Sequence, residues 1–214
     1  MYIGRIVSVA MTGDGRLAAA YRVSSRSFPN RTALVSEHKV SIVPKAGHEG
    51  DVHKNPYIAY NCVRIVCDRQ VAVVTNGSQT DPVAEKIALG LPVRDALAMS
   101  LLTLDFEKDQ YNTPRIASVI DMRDGGAWLA TVRDDGLEVR RMPIEPGRFF
   151  YVATYEENTI HEAQSGAFPA ESAAAACKFI LGEGVFAERT KPVSAAAAVA
   201  LKGGFQLATL DAQQ

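Results

Sequence analysis

Short apolar runs, each closed by a cluster of turn-forming residues, dominate the first third of the chain. Residues 2–11 (YIGRIVSVAM) and 16–23 (RLAAAYRV) flank the turn signal TGDG and predict a β-hairpin. The β-branched run 32–43 (TALVSEHKVSIV) predicts a further strand, and 44–56 (PKAGHEGDVHKNP) a polar loop framed by prolines. Two more strands are expected at 58–67 (IAYNCVRIVC) and 70–75 (QVAVVT), joined at Asp68–Arg69. The period then changes. Asp81–Pro82 starts a helix that Gly90 stops, and Pro92 opens a second, in which Val93, Leu97, Leu101 and Leu104 recur at helical spacing. From Arg115 a second meander is predicted, RIASVIDM, AWLATVRD, LEVRRMPI and RFFYVATY, with reversals at RDGG, DG and EPG. The alanine-rich segments 170–181 (AESAAAACKFIL) and 193–201 (VSAAAAVAL) predict a closing helix pair, ended by Gly203–Gly204 before FQLATL.

The order is therefore meander, helix pair, meander, helix pair, without the βαβ alternation of a parallel sheet. It predicts an α+β fold: an αββα sandwich of two antiparallel sheets face to face, with a helical layer outside each. No repeat, low-complexity linker or boundary interrupts it, so residues 1–214 are read as a single domain.

Composition narrows the function classes. Apolar residues make up 47% and charged residues 22%, ordinary for a chain that buries a core. A net charge of −1 and a pI of about 6.4 argue against a nucleic-acid partner, which needs a basic stripe. Cys62, Cys67 and Cys177 lack metal-type spacing and suit a reducing interior; Cys62 and Cys67, at odd separation in one stretch, should face opposite sides of a sheet. With no cleavage signal in MYIGRIVSVA and no apolar stretch of membrane length, no membrane association and a cytoplasmic location are expected.

Against that neutral background, YRVSSRSFPNR (21–31) concentrates Arg22, Arg26 and Arg31 with Ser24, Ser25, Ser27 and Asn30. Guanidinium forks and hydroxyls suit a phosphate or carboxylate, whereas a generic loop of this kind is simply solvated. The stretch LDFEKDQYNTPR (104–115) gathers Asp105, Glu107, Lys108, Asp109, Tyr111, Asn112 and Arg115. A carboxylate beside Lys and Arg can act as or orient a general base; it can equally be a neutralised helix end. In NPYIAYNCVR (55–64), alternation puts Tyr60 on the face of Ile58 and Cys62, and Tyr57 and Asn61 on the other. A tyrosine there can donate to an oxyanion or fill a core. Asn76 in TNGSQ either meets a base or ribose or makes a turn. Metal ligation by GHEGDVH (47–53) lacks a helical His pair, QSGAF has Ala163 where a nucleophile elbow needs glycine, and GDGRLAAA lacks a phosphate-binding glycine pattern.

Taken together, YRVSSRSFPNR, NPYIAYNCVR, TNGSQTDP and LDFEKDQYNTPRIA resemble the archaeal type of inosine-monophosphate (IMP) cyclohydrolase, and the likeness runs in order along essentially the whole chain. The resemblance implies the αββα fold of the amino-terminal-nucleophile hydrolases, although Met1 is followed by Tyr2 and no catalytic Thr, Ser or Cys stands at the start. It implies closure of the purine ring of 5-formamidoimidazole-4-carboxamide ribonucleotide (FAICAR) to IMP and water, the last step of de novo purine synthesis. Cyclisation needs no enzyme nucleophile, since the substrate's carboxamide nitrogen attacks its own formyl carbon. On this reading Glu107 is the base or orients one, and Tyr60 and Arg31 polarise the formyl oxygen. Arg22, Ser25 and Arg26 hold the 5′-phosphate; Asn30, Asn76, Asn112 and Arg115 surround the ribose or base; Asp105 and Lys108 compete for the acid–base role. No metal or cofactor is expected, the partners are FAICAR and IMP, and homo-oligomers sharing a site are compatible with it. The competing readings are a non-catalytic purine-nucleotide binder and an amide hydrolase of the same fold.

Overall fold

Two hairpins open the chain, and they enter different sheets. In the computed structural model, which describes residues 1–213, β1 (Ile6–Met11) and β2 (Leu17–Ser24) pair around the TGDG turn, where Gly15 adopts φ +86°. β3 (Arg31–Ser36) and β4 (Lys39–Pro44) then form a second hairpin. The run at 32–43, expected as one strand, is thus two: Glu37–His38 reverses the chain, a turn without glycine or proline to announce it. The polar loop carries a short helix, α1 (Asp51–Lys54), and a 3₁₀ turn at Pro56–Ile58 before β5 (Tyr60–Val66) and β6 (Val71–Thr75).

Next come α2 (Thr80–Ala88) and α3 (Val93–Leu104), as their spacing predicts. Asp81 does not cap α2; its carboxylate accepts from Asn61 Nδ2 at 3.0 Å and pairs with Arg64, tying the helix start to β5. β7 (Arg115–Asp121), β8 (Gly126–Arg133) and β9 (Gly136–Arg141) continue the second meander, but β10 (Arg148–Ala153) leaves it and pairs with β1. β11 (Ser165–Ala167), α4 (Ala173–Gly182), β12 (Pro192–Leu201) and β13 (Gly204–Asp211) complete the chain.

The segment 193–201 corrects the closing helix pair: it is β12, not a helix. It runs between β2 and β13, with both faces covered. Ala196, Ala198 and Ala200 point between the sheets, while Ala195, Ala197 and Val199 lie under α4. Small side chains let α4 approach β2 and β12 closely, and that packing overrides alanine's helical preference.

The result is four layers. A six-stranded antiparallel sheet, in the order β11-β10-β1-β2-β12-β13, faces a seven-stranded one, β3-β4-β5-β6-β7-β8-β9. Val7, Tyr21, Val152 and Ala198 meet Ile42, Cys62, Val74, Ile116 and Leu129 between them. α4 covers the first sheet and α2 with α3 the second. Cys62 faces the intersheet core and Cys67 packs toward the helices, as their odd separation predicts. Among the described residues no helix is long and apolar enough to cross a membrane. For the site, what matters is that the starts of β1, β3, β5 and β7 and the ends of β2 and β10 gather at one end of the sandwich.

Candidate active site

A cavity of about 410 Å³ opens at that end. Its walls are chain segments entering or leaving strands: Tyr2 and Arg5 ahead of β1, the 24–28 loop after β2, Arg31 at the start of β3, Lys54 to Ile58 ahead of β5, 107–111 ahead of β7, and Tyr155 after β10.

Glu107 lies on its floor with a side chain only 1% exposed. Its backbone N–H donates to the Thr113 carbonyl, and Asp109 accepts from Thr113, so the acidic segment closes on itself as a compact turn. Arg5 donates to Glu107 Oε2 at 3.0 Å, and Arg115 Nη1 stands 3.8 Å from Oε1, which has no hydrogen-bond partner among the described residues. A buried carboxylate oxygen without a donor calls for an explanation, and one that faces a cavity is a functional candidate. Burial pushes the Glu107 carboxyl above the ordinary glutamate value, and the two guanidiniums offset this only in part. Arg115 is fixed by the Asp105 carbonyl and Gln79 Oε1. Close approach here requires Gly77: a Cβ would meet Gln79 Oε1 at 2.7 Å and Arg115 Nη1 at 3.0 Å.

Behind the cavity, the hydroxyls of Tyr21 and Tyr60 lie 2.5 Å apart, and burial raises both phenols, so both keep their protons. At the front, Ser25 Oγ accepts from the Phe28 N–H at 2.9 Å and curls the arginine loop back, while Arg31 Nε donates to the Phe28 carbonyl at 3.0 Å. Arg26 reaches over the Tyr2 ring at 4.4 Å and the Tyr111 ring at 5.8 Å, and Tyr155 packs against both tyrosines. A cation–π contact of this kind holds an exposed guanidinium in a defined orientation without spending its N–H donors.

The model of the family described as "IMP cyclohydrolase-like protein" matches residues 2–204. The chain belongs to that family. Its curated relatives include the IMP cyclohydrolase of Methanosphaera stadtmanae, 49% identical over 92% of this chain and 94% of that protein. The Methanococcus maripaludis S2 enzyme is 47% identical over 98% of this chain and all of that protein. The Methanocaldococcus jannaschii enzyme is 41% identical over 98% of each. All three bear the same name, IMP cyclohydrolase.

Set against that membership, the residues singled out from sequence divide. Arg31, Glu107, Ser25 and Arg26 line the cavity; Tyr60 and Arg115 do not, Tyr60 being buried within electrostatic reach of Arg31 and Arg5, and Arg115 standing next to Glu107. Arg22 does not reach it. Fully buried, it spends its donors on Ser24 Oγ and on the carbonyls of Leu181, Phe186, Arg189 and Thr190, so it ties the end of α4 to β2 and has nothing left for a phosphate. Asn76 is also buried and spent: its amide donates to the Pro114 carbonyl and its oxygen accepts from Ile116 N–H and Gln79, joining β6 to β7.

The others lie outside the lining. Asn30 contacts His48, Asp105 and Lys108 pair with each other at the surface, and Asn112 donates to Asp134. The cavity residues missed from sequence include Arg5, Tyr2 and Tyr155, single polar positions at the ends of apolar runs with no local signature, and Lys54, one charge among many in a polar loop.

Proposed function

We propose that this cleft is where the chain closes the ring of FAICAR to give IMP and water. The observation that carries the reading is the meeting, in a member of the cyclohydrolase family, of a buried cavity carboxylate with one oxygen lacking a donor, the Arg5 guanidinium in the same cavity, and Arg115 next to that carboxylate outside the lining.

The chemistry gives the carboxylate and the neighbouring donors distinct work. The carboxamide nitrogen must lose a proton as its bond to the formyl carbon forms, and Glu107, raised in basicity by burial, is the group placed to accept or direct it. Charge grows on the formyl oxygen as C=O becomes C–O⁻. Arg31 and Tyr60 are the donors assigned to it, and protonation gives the carbinolamine hydroxyl. That hydroxyl leaves as water with a proton gained in transfer, the formamide N–H proton is lost, and the C=N bond of the purine appears. Atoms balance without a covalent enzyme intermediate.

Arg26, with Ser25 and the 24–28 loop, is the anion-facing wall and takes the 5′-phosphate. The Tyr2, Tyr111 and Tyr155 rings offer planar surface for the heterocycle. Pre-alignment of carboxamide and formyl groups in so confined a space supplies several kcal/mol of the barrier reduction.

Incubating the purified protein with FAICAR and following IMP by its ultraviolet absorbance tests the reading. Formation well above the spontaneous rate is expected; equality with the spontaneous rate would end it.

A further inference from the structure

Arg5 takes no step in the ring closure described above, yet its position in the cleft is tightly fixed. Its backbone N–H donates to Thr154 Oγ1 at 3.0 Å, and the preceding Gly4, at φ +76°, lies so near Thr154 and Tyr155 that no Cβ fits. The side chain is 12% exposed and lines the cavity, against 1% for Glu107. Among the described residues its guanidinium makes one hydrogen bond, to Glu107 Oε2. Arg31 also spends a donor, but on the Phe28 carbonyl, a group with no chemistry to perform.

We propose that Arg5 is a catalytic residue of the ring closure: one arm of its guanidinium is fastened to Glu107, and its remaining N–H donors receive the formyl oxygen as charge grows on it. This role rests on the cyclohydrolase reading. A guanidinium is a rigid planar fork, so a single group touching both the base and the oxyanion fixes the distance between them. Such donors, already oriented before reaction, are worth most in a water-poor site. Burial works against the charge of Arg5, but the Glu107 carboxylate fastened to it favours that charge, so the cation persists. The charged groups facing Glu107 are Arg5, Arg115 of β7 and Asp109 of its own segment. Lysine, a point charge without the fork, is no substitute.

The test is steady-state turnover of FAICAR by the wild type, Arg5→Lys, Glu107→Gln and the double variant Arg5→Gln/Glu107→Gln. With the wild type active, Arg5→Lys should lose kcat on the order of 100-fold with KM little changed. The double variant removes both charges of the Arg5–Glu107 pair together, and Arg115, the cation left facing the site, is the same in it as in Glu107→Gln alone. If Arg5 acts on the oxygen, it should be slower than Glu107→Gln alone by about tenfold or more.

A double variant equal to Glu107→Gln would reduce Arg5 to a prop for the carboxylate and overturn the proposal. So would Arg5→Lys with kcat within about threefold of wild type. An inactive wild type removes the cyclohydrolase reading itself, and this role with it.

Discussion

Tyr21 and Tyr60, one from each sheet, join their hydroxyls 2.5 Å apart across the intersheet core. Tyr21 is fully buried, so it orients Tyr60 rather than meeting a ligand. Tyr21→Phe should leave the Tyr60 hydroxyl without its partner and cost about 1–3 kcal/mol of stability. Denaturant unfolding measures this, and kcat should fall in the same variant because the Tyr60 proton is no longer directed. A variant as stable and as active as the wild type would show the bridge to be idle.

Arg22 and Arg26 sit four positions apart in sequence and are expected to separate cleanly in experiment. Arg22→Met leaves several backbone carbonyls near the end of α4 unpaired, so its thermal midpoint should drop while KM of the folded fraction stays put. Arg26→Ala, whose side chain is exposed, should keep its midpoint and raise KM more than it lowers kcat, the signature of lost uniform binding.

The pH dependence follows from Glu107. A base must be ionised, and burial holds this carboxyl above the ordinary value of 4.5. At any given acidic pH more of it is protonated than for an exposed glutamate, so the acid limb of kcat/KM should fall at a pH above 4.5. The profile of Glu107→Gln should lack that limb. An acid limb at or below the ordinary value in the wild type would contradict the burial argument.

Gly4 holds the approach to β1. Its φ of +76° disfavours any other residue, and a Cβ would stand 2.1 Å from Thr154 Oγ1. Gly4→Ala should therefore destabilise by more than about 1 kcal/mol. It should also cut turnover by displacing Arg5, the next residue, which calorimetry and steady-state rates together would register.

The β1–β2 hairpin, α2, α3 and α4 are legible in the sequence because turn residues and apolar period agree there. Residues 193–201 are not, because alanine's preference points one way and burial between α4 and the opposite sheet the other. The β3–β4 turn escapes notice for lack of a glycine, and the departure of β10 to the other sheet is a long-range pairing that no local pattern records.

The same logic divides the site. Segments 24–31 and 105–115 are visible as dense charge, but density does not distinguish Arg26, at the cavity, from Arg22, consumed by carbonyls. Arg5 is a lone cation in an apolar run, and its meaning appears only when the end of β10 and the turn at Glu107 close around it.

The most direct test of Glu107 as the centre of the reaction is kcat for Glu107→Gln at saturating FAICAR, with the folded state verified by its unfolding transition. A fall of about 100-fold or more with KM nearly unchanged is predicted, since general base catalysis is worth about 10²–10⁴. A kcat within about threefold of wild type would contradict it.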